Sequence, residues 1–115
     1  MRKTGTTGDR FDWRMTIRVR RAVQEGRVLV SEHAREKAVV EGLHGPEILE
    51  LLATGVVRSF RQRDEQRTAI DGYKHFLLST TPSGRLFEVV FKFIRAQESG
   101  PDELVVLITL YRGKV

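Results

Sequence analysis

The spacing of apolar residues changes character near Val56. Before it they recur three and four apart, and after it they alternate or run together, so helices come first and strands second. Phe11, Met15, Val19, Ala22 and Val23 form one stripe of a helix that Asp9 or Asp12 can cap and that runs to about Glu25, where Gly26 stops it. Arg14, Arg18 and Arg21 form a separate basic stripe, with Trp13 and Ile17 beside it. These two are expected to pack on a second element, the alternative being an aromatic surface for a base or a partner. A short β-rich run, Arg27 to Val30, precedes Ser31, which has the chemistry of an N-cap for a helix from Glu32 to about Glu41, closed by Gly42. Gly45-Pro46 opens a third helix, whose buried side is Ile48, Leu49, Leu51 and Leu52 and which Thr54-Gly55 ends.

Val56 to about Arg61, Tyr73 to Thr80, Leu86 to Arg95 and Leu104 to Arg112 follow as strands. Pro82-Ser83-Gly84 and Gly100-Pro101 make antiparallel hairpins the simplest connections. Leu104 to Leu110 is apolar on both faces and is expected to be central. In Leu86 to Arg95, Phe87, Val89, Phe91 and Phe93 share one face, and Glu88, Val90 and Lys92 the other. One side of the sheet therefore packs on helices and the other is partly polar. The predicted class is α+β, amino-terminal helices packed on a four- or five-stranded, mainly antiparallel sheet. Arg58, Arg61, Arg63 and Arg67, around Asp64 and Glu65, are expected to form a solvated hairpin tip, the alternative being contact with phosphate.

A length of 115 residues fits one domain. It is placed at residues 10–115, after a flexible tail at 1–9 where Gly and Thr have nothing apolar to pack. The chain holds no cysteine, which excludes a disulfide framework, a thiolate zinc site and a cysteine nucleophile. Neither a secretory leader nor a membrane span is legible, and a cytoplasmic location is expected. The net charge is +5, and residues 1–21 carry all of that excess, with seven basic residues against two acidic. Such a segment suits a phosphate backbone or an acidic protein, and a solubilising arm is the plainer alternative.

Two short signatures put polar groups where the pattern calls for scaffold: Ser31-Glu32-His33-Ala34 at a helix start and Leu107-Ile108-Thr109-Leu110-Tyr111 in the last strand. In that order, with a glycine-ended turn and a short helix between them, they resemble the bacterial family catalogued as domain of unknown function 4258. That family is similar to the RelE and BrnT toxins, and the resemblance covers roughly Val19 to Arg112. It implies a RelE/barnase-like toxin fold, RNA as the substrate, on the ribosome or free, and an acidic antitoxin-like partner received by the basic first helix. Where the family usually has Arg-Gly-Ile, this chain has Glu41-Gly42-Leu43.

Metal-independent RNA cleavage needs a base for the ribose 2′-OH, cations for the phosphorane and an acid for the leaving oxygen. His33, in the first turn of its helix, is favoured as neutral imidazole by the macrodipole, and Lys37 shares its face. The resemblance turns His33 toward the active face of the sheet. His33 is the candidate base or acid, Lys37 and Lys92 the candidate charge stabilisers, and Thr109 and Tyr111 the positioning groups, Tyr111 also an acid. Simple alternation puts Thr109 and Tyr111 on one face with Val105 and Leu107. Arg14, Arg18, Arg21, Lys74 and Arg85 are the candidate contacts to nucleic acid or partner. No cofactor is expected, and no metal, because the three histidines and the carboxylates show no ligand spacing. The expected function is a toxin-like RNA-binding protein or metal-independent endoribonuclease. The alternative is a catalytically inactive nucleic-acid- or protein-binding module of the same fold.

Overall fold

The computed structural model describes residues 10–96 and 103–113. The tail expected at 1–9 and the Gly100-Pro101 turn lie outside them. The elements, in chain order, are α1 (Trp13–Gln24), β1 (Val28–Val30), α2 (Glu32–Val40), α3 (Gly45–Thr54), β2 (Val56–Arg63), β3 (Tyr73–Thr80), β4 (Leu86–Arg95) and β5 (Glu103–Arg112). No helix among the described residues is long and apolar enough to cross a membrane.

Asp12 is the N-cap of α1, its side chain accepting from the Met15 N–H at 2.9 Å. The helix starts too late to include Phe11. Residues 10–12 instead run along the outer edge of β2, with the Asp12 N–H on the Val57 carbonyl and the Ser59 N–H on the Arg10 carbonyl. Thr16, fully buried, ties the helix to the sheet: its hydroxyl donates to the Asp12 carbonyl and accepts from the Val57 N–H. Met15, Val19 and Ala22 enter the core as their stripe requires. Trp13 and Ile17 do not pack on a second element. They are 59% and 55% exposed, because they lie on the side of α1 away from its buried stripe of Met15, Val19 and Ala22.

The sheet has five strands in the order β1-β5-β4-β3-β2. β2 to β5 form the expected antiparallel meander, and β1 joins β5 in parallel. Three helices on a mixed sheet make the class α+β. α1 and α3 pack on one face and α2 lies against β5. That face holds Val57, Leu77, Phe87, Val89, Phe91, Phe93, Val105, Leu107 and Leu110, all at most 1% exposed, and they meet Val19, Leu51 and Leu52 from the helices. Gly55 lets the end of α3 come down on β3, since a Cβ there would collide with the Leu77 side chain and lie 2.8 Å from the Leu78 carbonyl oxygen.

The pairing register shifts twice among the described residues, between Val57 and Arg61 of β2 and in β5, where alternation fails. Val90 faces Thr109 and Phe91 faces Leu107, so Ile108 is an extra residue, a β-bulge. The bulge reverses the phase: Val105 and Leu107 point into the core, then Leu110 does. Thr109 and Tyr111 therefore lie on the opposite face from Val105 and Leu107, a correction to the expected shared face.

Ser31 connects the last strand to α2. Its hydroxyl accepts from the Ala34 N–H at 3.1 Å and donates to the Ile108 carbonyl at 2.8 Å, and its N–H donates to the Leu107 carbonyl at 3.0 Å. The Ser-x-His-Ala signature is thus a helix cap built onto the bulge. Ser31→Ala keeps the backbone bond but loses the cap and leaves the Ile108 carbonyl short of a donor, so it is expected to destabilise the fold by about 1–2 kcal/mol. Urea unfolding of the two proteins measures this; equal midpoints would remove Ser31 from the account.

Candidate functional site

The second face of the sheet carries no described helix. Register puts Phe76 opposite Val90, Leu78 opposite Glu88, Glu88 opposite Tyr111 and Val90 opposite Thr109, all on this open face. Arg58 and Phe60 of β2 join them, one through an ion pair and the other through ring contact. Glu88 lies at the centre of a polar row crossing the strands. Arg58 donates from Nη1 to Glu88 Oε2 at 2.8 Å, reaching past β3, and the Tyr111 hydroxyl donates to Glu88 Oε1 at 2.5 Å. Both carboxylate oxygens are engaged by charge-assisted bonds, the strong class of hydrogen bond. Burial first, then the hydrogen bond and charge of Glu88, push the Tyr111 phenol up to about 12, with Arg58 pulling weakly the other way. It remains a protonated donor through neutral and mildly alkaline pH.

Lys92, on the same face of β4, turns its ammonium onto the β2–β3 connection. Its Nζ lies 3.2 and 3.3 Å from the Asp64 carboxylate oxygens and 3.1 Å from Gln66 Oε1. Asp64 also accepts the N–H groups of Gln66, Thr68 and Ala69 and, at 3.4 Å, the Thr68 hydroxyl. Burial works to raise the Asp64 carboxyl, but the Ala69 N–H, Lys92 and the Thr68 N–H outweigh it and hold it below the ordinary carboxylate value. The expected tip is solvated at Arg61, Arg63, Glu65 and Arg67, but it closes over the Asp64 carboxylate, which is 3% exposed. A cavity of about 220 Å³ beside it is lined by Glu65, Gln66, Lys74, Lys92 and Ile108, so Lys74 and Lys92 share one recess on the open face.

The other sequence candidates are more scattered. His33 is exposed in the first turn of α2, and its ring makes no hydrogen bond or ion pair among the described residues. Lys37, half-buried, is on the same flank of that helix, while Ala34 and Ala38 face the core. No measured contact joins His33 or Lys37 to the Glu88 row. Arg14 and Arg21 are exposed on α1, whereas Arg18 is committed to Glu103 at 2.8 Å and stacks 4.3 Å above the Phe93 ring. Arg85 donates to the Glu41 carbonyl at 2.7 Å, and the Glu41 carboxylate pairs with Arg112 at 3.0 Å. Glu41 thus has a partner of its own here, linking the end of α2 to the end of β5.

Phe60 and Glu88 were not singled out from the sequence, and Arg58, expected at a solvated hairpin tip, instead pairs with Glu88 inside the sheet face. Glu88 was visible as a polar residue on the polar face of its strand, but its partners depend on register, which the composition of the strands does not give. The structure also joins buried His75 to Asp71 at 2.8 Å, with the His75 ring 5.5 Å from Phe91 on the helix-covered face. Burial works to raise the Asp71 carboxyl, and the Tyr73 N–H and His75 outweigh it. Asp71 also lines a cavity of about 550 Å³ with Arg63, Asp64, Glu65, Arg67 and Ile70, while the His75 side chain is only 4% exposed.

A carboxylate, a guanidinium and a phenol in one hydrogen-bonded row supply the base, the cation and the proton donor that phosphodiester transesterification needs. No three His, Asp or Glu residues come together as a metal site among the described residues. Compared with known proteins, the chain matched no protein-family model, no curated protein and no solved structure.

Proposed function

We propose that this chain binds RNA on the open face of its sheet and cleaves it as a toxin-like, metal-independent endoribonuclease. The Arg58–Glu88–Tyr111 row carries this reading. Glu88 takes the proton of a ribose 2′-OH, and that oxygen attacks the adjacent phosphorus. Arg58 offsets the charge that develops on the phosphorane oxygens. Tyr111 protonates the departing 5′-oxygen, leaving a 2′,3′-cyclic phosphate and a 5′-hydroxyl. The proton held by Glu88 then returns to Tyr111 along the bond that joins them, which restores both groups. Thr109, two residues before Tyr111 on the same face, positions a phosphate oxygen, and Lys74 adds positive charge from the recess, while the Lys92 charge is taken up by Asp64. Arg14 and Arg21 remain for the acidic antitoxin-like partner. His33 keeps its place as the second acid–base candidate, with its own arm in the test.

One observation favours the inactive binding module: in the free protein Glu88 already satisfies both Arg58 and Tyr111. Induced expression of wild type, Glu88→Gln and His33→Ala in bacteria separates the readings, with growth and total RNA integrity followed. Growth arrest with RNA cleavage in wild type, lost in Glu88→Gln, is the expected result; loss in His33→Ala instead moves the chemistry to α2. Intact RNA in all three, with salt-sensitive RNA binding retained by the purified protein, supports the binding module. No RNA binding at all overturns both.

A further inference from the structure

Phe60 stands apart from its neighbours on the open face. Phe76 and Val90 are 7% and 6% exposed, whereas Phe60 is 49% exposed. Its ring rests on Phe76 with centroids 5.2 Å apart and planes tilted by 41°, so it is propped from below and open above. The Arg58 guanidinium carbon is 5.9 Å from the ring centroid, and the same guanidinium contacts Glu88. Of the β2 arginines only Arg58 shares this face; Arg61, opposite His75 and 3.9 Å over the Tyr73 ring, and Arg63, opposite Tyr73, alternate onto the other. Gln62 and Lys74 are paired across the strands next to it.

An aromatic ring held half in water, with Arg58 and Lys74 on the same sheet face, has the chemistry of a nucleobase platform: the ring stacks on the base and the cations receive the flanking phosphates. We infer that Phe60 stacks an unpaired base of the bound RNA, one nucleotide from the phosphate held at Arg58, which makes single-stranded RNA the substrate. Base faces in an A-form duplex are consumed by their own stack, so a duplex offers this ring nothing. The inference rests on the RNA-binding reading of the open face given above and adds the strandedness of the ligand and the residue that reads it.

The test uses a short 2′-O-methyl oligonucleotide, which has no 2′-OH to react, with one 2-aminopurine. Binding is followed by anisotropy and stacking by quenching of the 2-aminopurine. Wild type is expected to bind and quench. Phe60→Ala and Phe60→Leu, the latter still covering Phe76, are expected to weaken binding about tenfold and lose the quenching, while Phe60→Trp retains both. Affinity for a duplex of the same sequence stays the same in all four proteins. Wild-type affinity and quenching in both Phe60→Ala and Phe60→Leu would overturn the stacking inference and leave the RNA-binding reading standing. Failure of wild type to bind any RNA would sink the two together.

Discussion

Glu88→Gln is expected to lower the rate of RNA cleavage by about 10²–10⁴-fold, the range associated with a positioned acid or base. Gln keeps the shape and can still accept from Tyr111, so folding is preserved while the proton acceptor is lost. Binding should move the other way. Without its carboxylate partner, Arg58 is released to the phosphate, and affinity for an uncleavable oligonucleotide is expected to hold or rise, with a steeper dependence on salt. Tyr111→Phe removes the donor and is expected to slow cleavage by about 10²-fold without that gain in affinity. Single-turnover cleavage rates set beside affinities for a 2′-O-methyl oligonucleotide measure both. A Glu88→Gln protein that loses rate and affinity together would make Glu88 a structural strut.

The second large effect is on stability. Asp64→Ala leaves the buried Lys92 ammonium with Gln66 alone and strips the loop of the acceptor for three backbone N–H groups, for an expected cost of about 3–5 kcal/mol. Lys92→Met should cost less than half of that, because Asp64 keeps its backbone and Thr68 donors. Denaturant unfolding of both variants reads the asymmetry; equal losses would mean that the ion pair, not the carboxylate cradle, orders the loop. The pH dependence has a definite sign. Asp64 and Asp71 hold their carboxyls below the ordinary 3.8, so the native state binds fewer protons than the unfolded chain as pH falls toward that value. Their stabilisation is present above the unfolded value and is lost as pH drops through the native ones. In Asp64→Ala this acid-side loss should be shallower.

The elements were legible because their signals are local. Asp12, Ser31, Gly42, Pro46 and Gly55 punctuate three helices, and the alternation of Phe87, Val89, Phe91 and Phe93 fixes the core face of β4. What was not legible depends on pairings distant along the chain. Arg27 to Val30 was legible as a β-rich run, but its parallel place beside Val105 to Leu107 was not. The bulge at Ile108 is invisible in an apolar run such as Leu104 to Leu110, and it reversed the face assigned to Thr109 and Tyr111. Asp64 looked like a turn residue because its ligands are mostly backbone N–H groups, which leave no mark in sequence. Trp13 and Ile17 were expected to find a partner that the helix-covered side of the sheet does not provide. Tyr111 was found from the sequence, but Glu88 and Arg58, which give it a chemical setting, emerged only with the register of β4 and the reach of β2 across β3.

The most direct test of the account is the chemistry of the cut ends. Purified protein is incubated with end-labelled single-stranded RNA in excess EDTA, and the 3′ termini of the products are identified. The account predicts cleavage to 2′,3′-cyclic phosphate ends, abolished by Glu88→Gln and by a single 2′-deoxy substitution at the cut nucleotide. Intact RNA, or cleavage that survives the 2′-deoxy substitution and leaves 3′-hydroxyl ends, would contradict it.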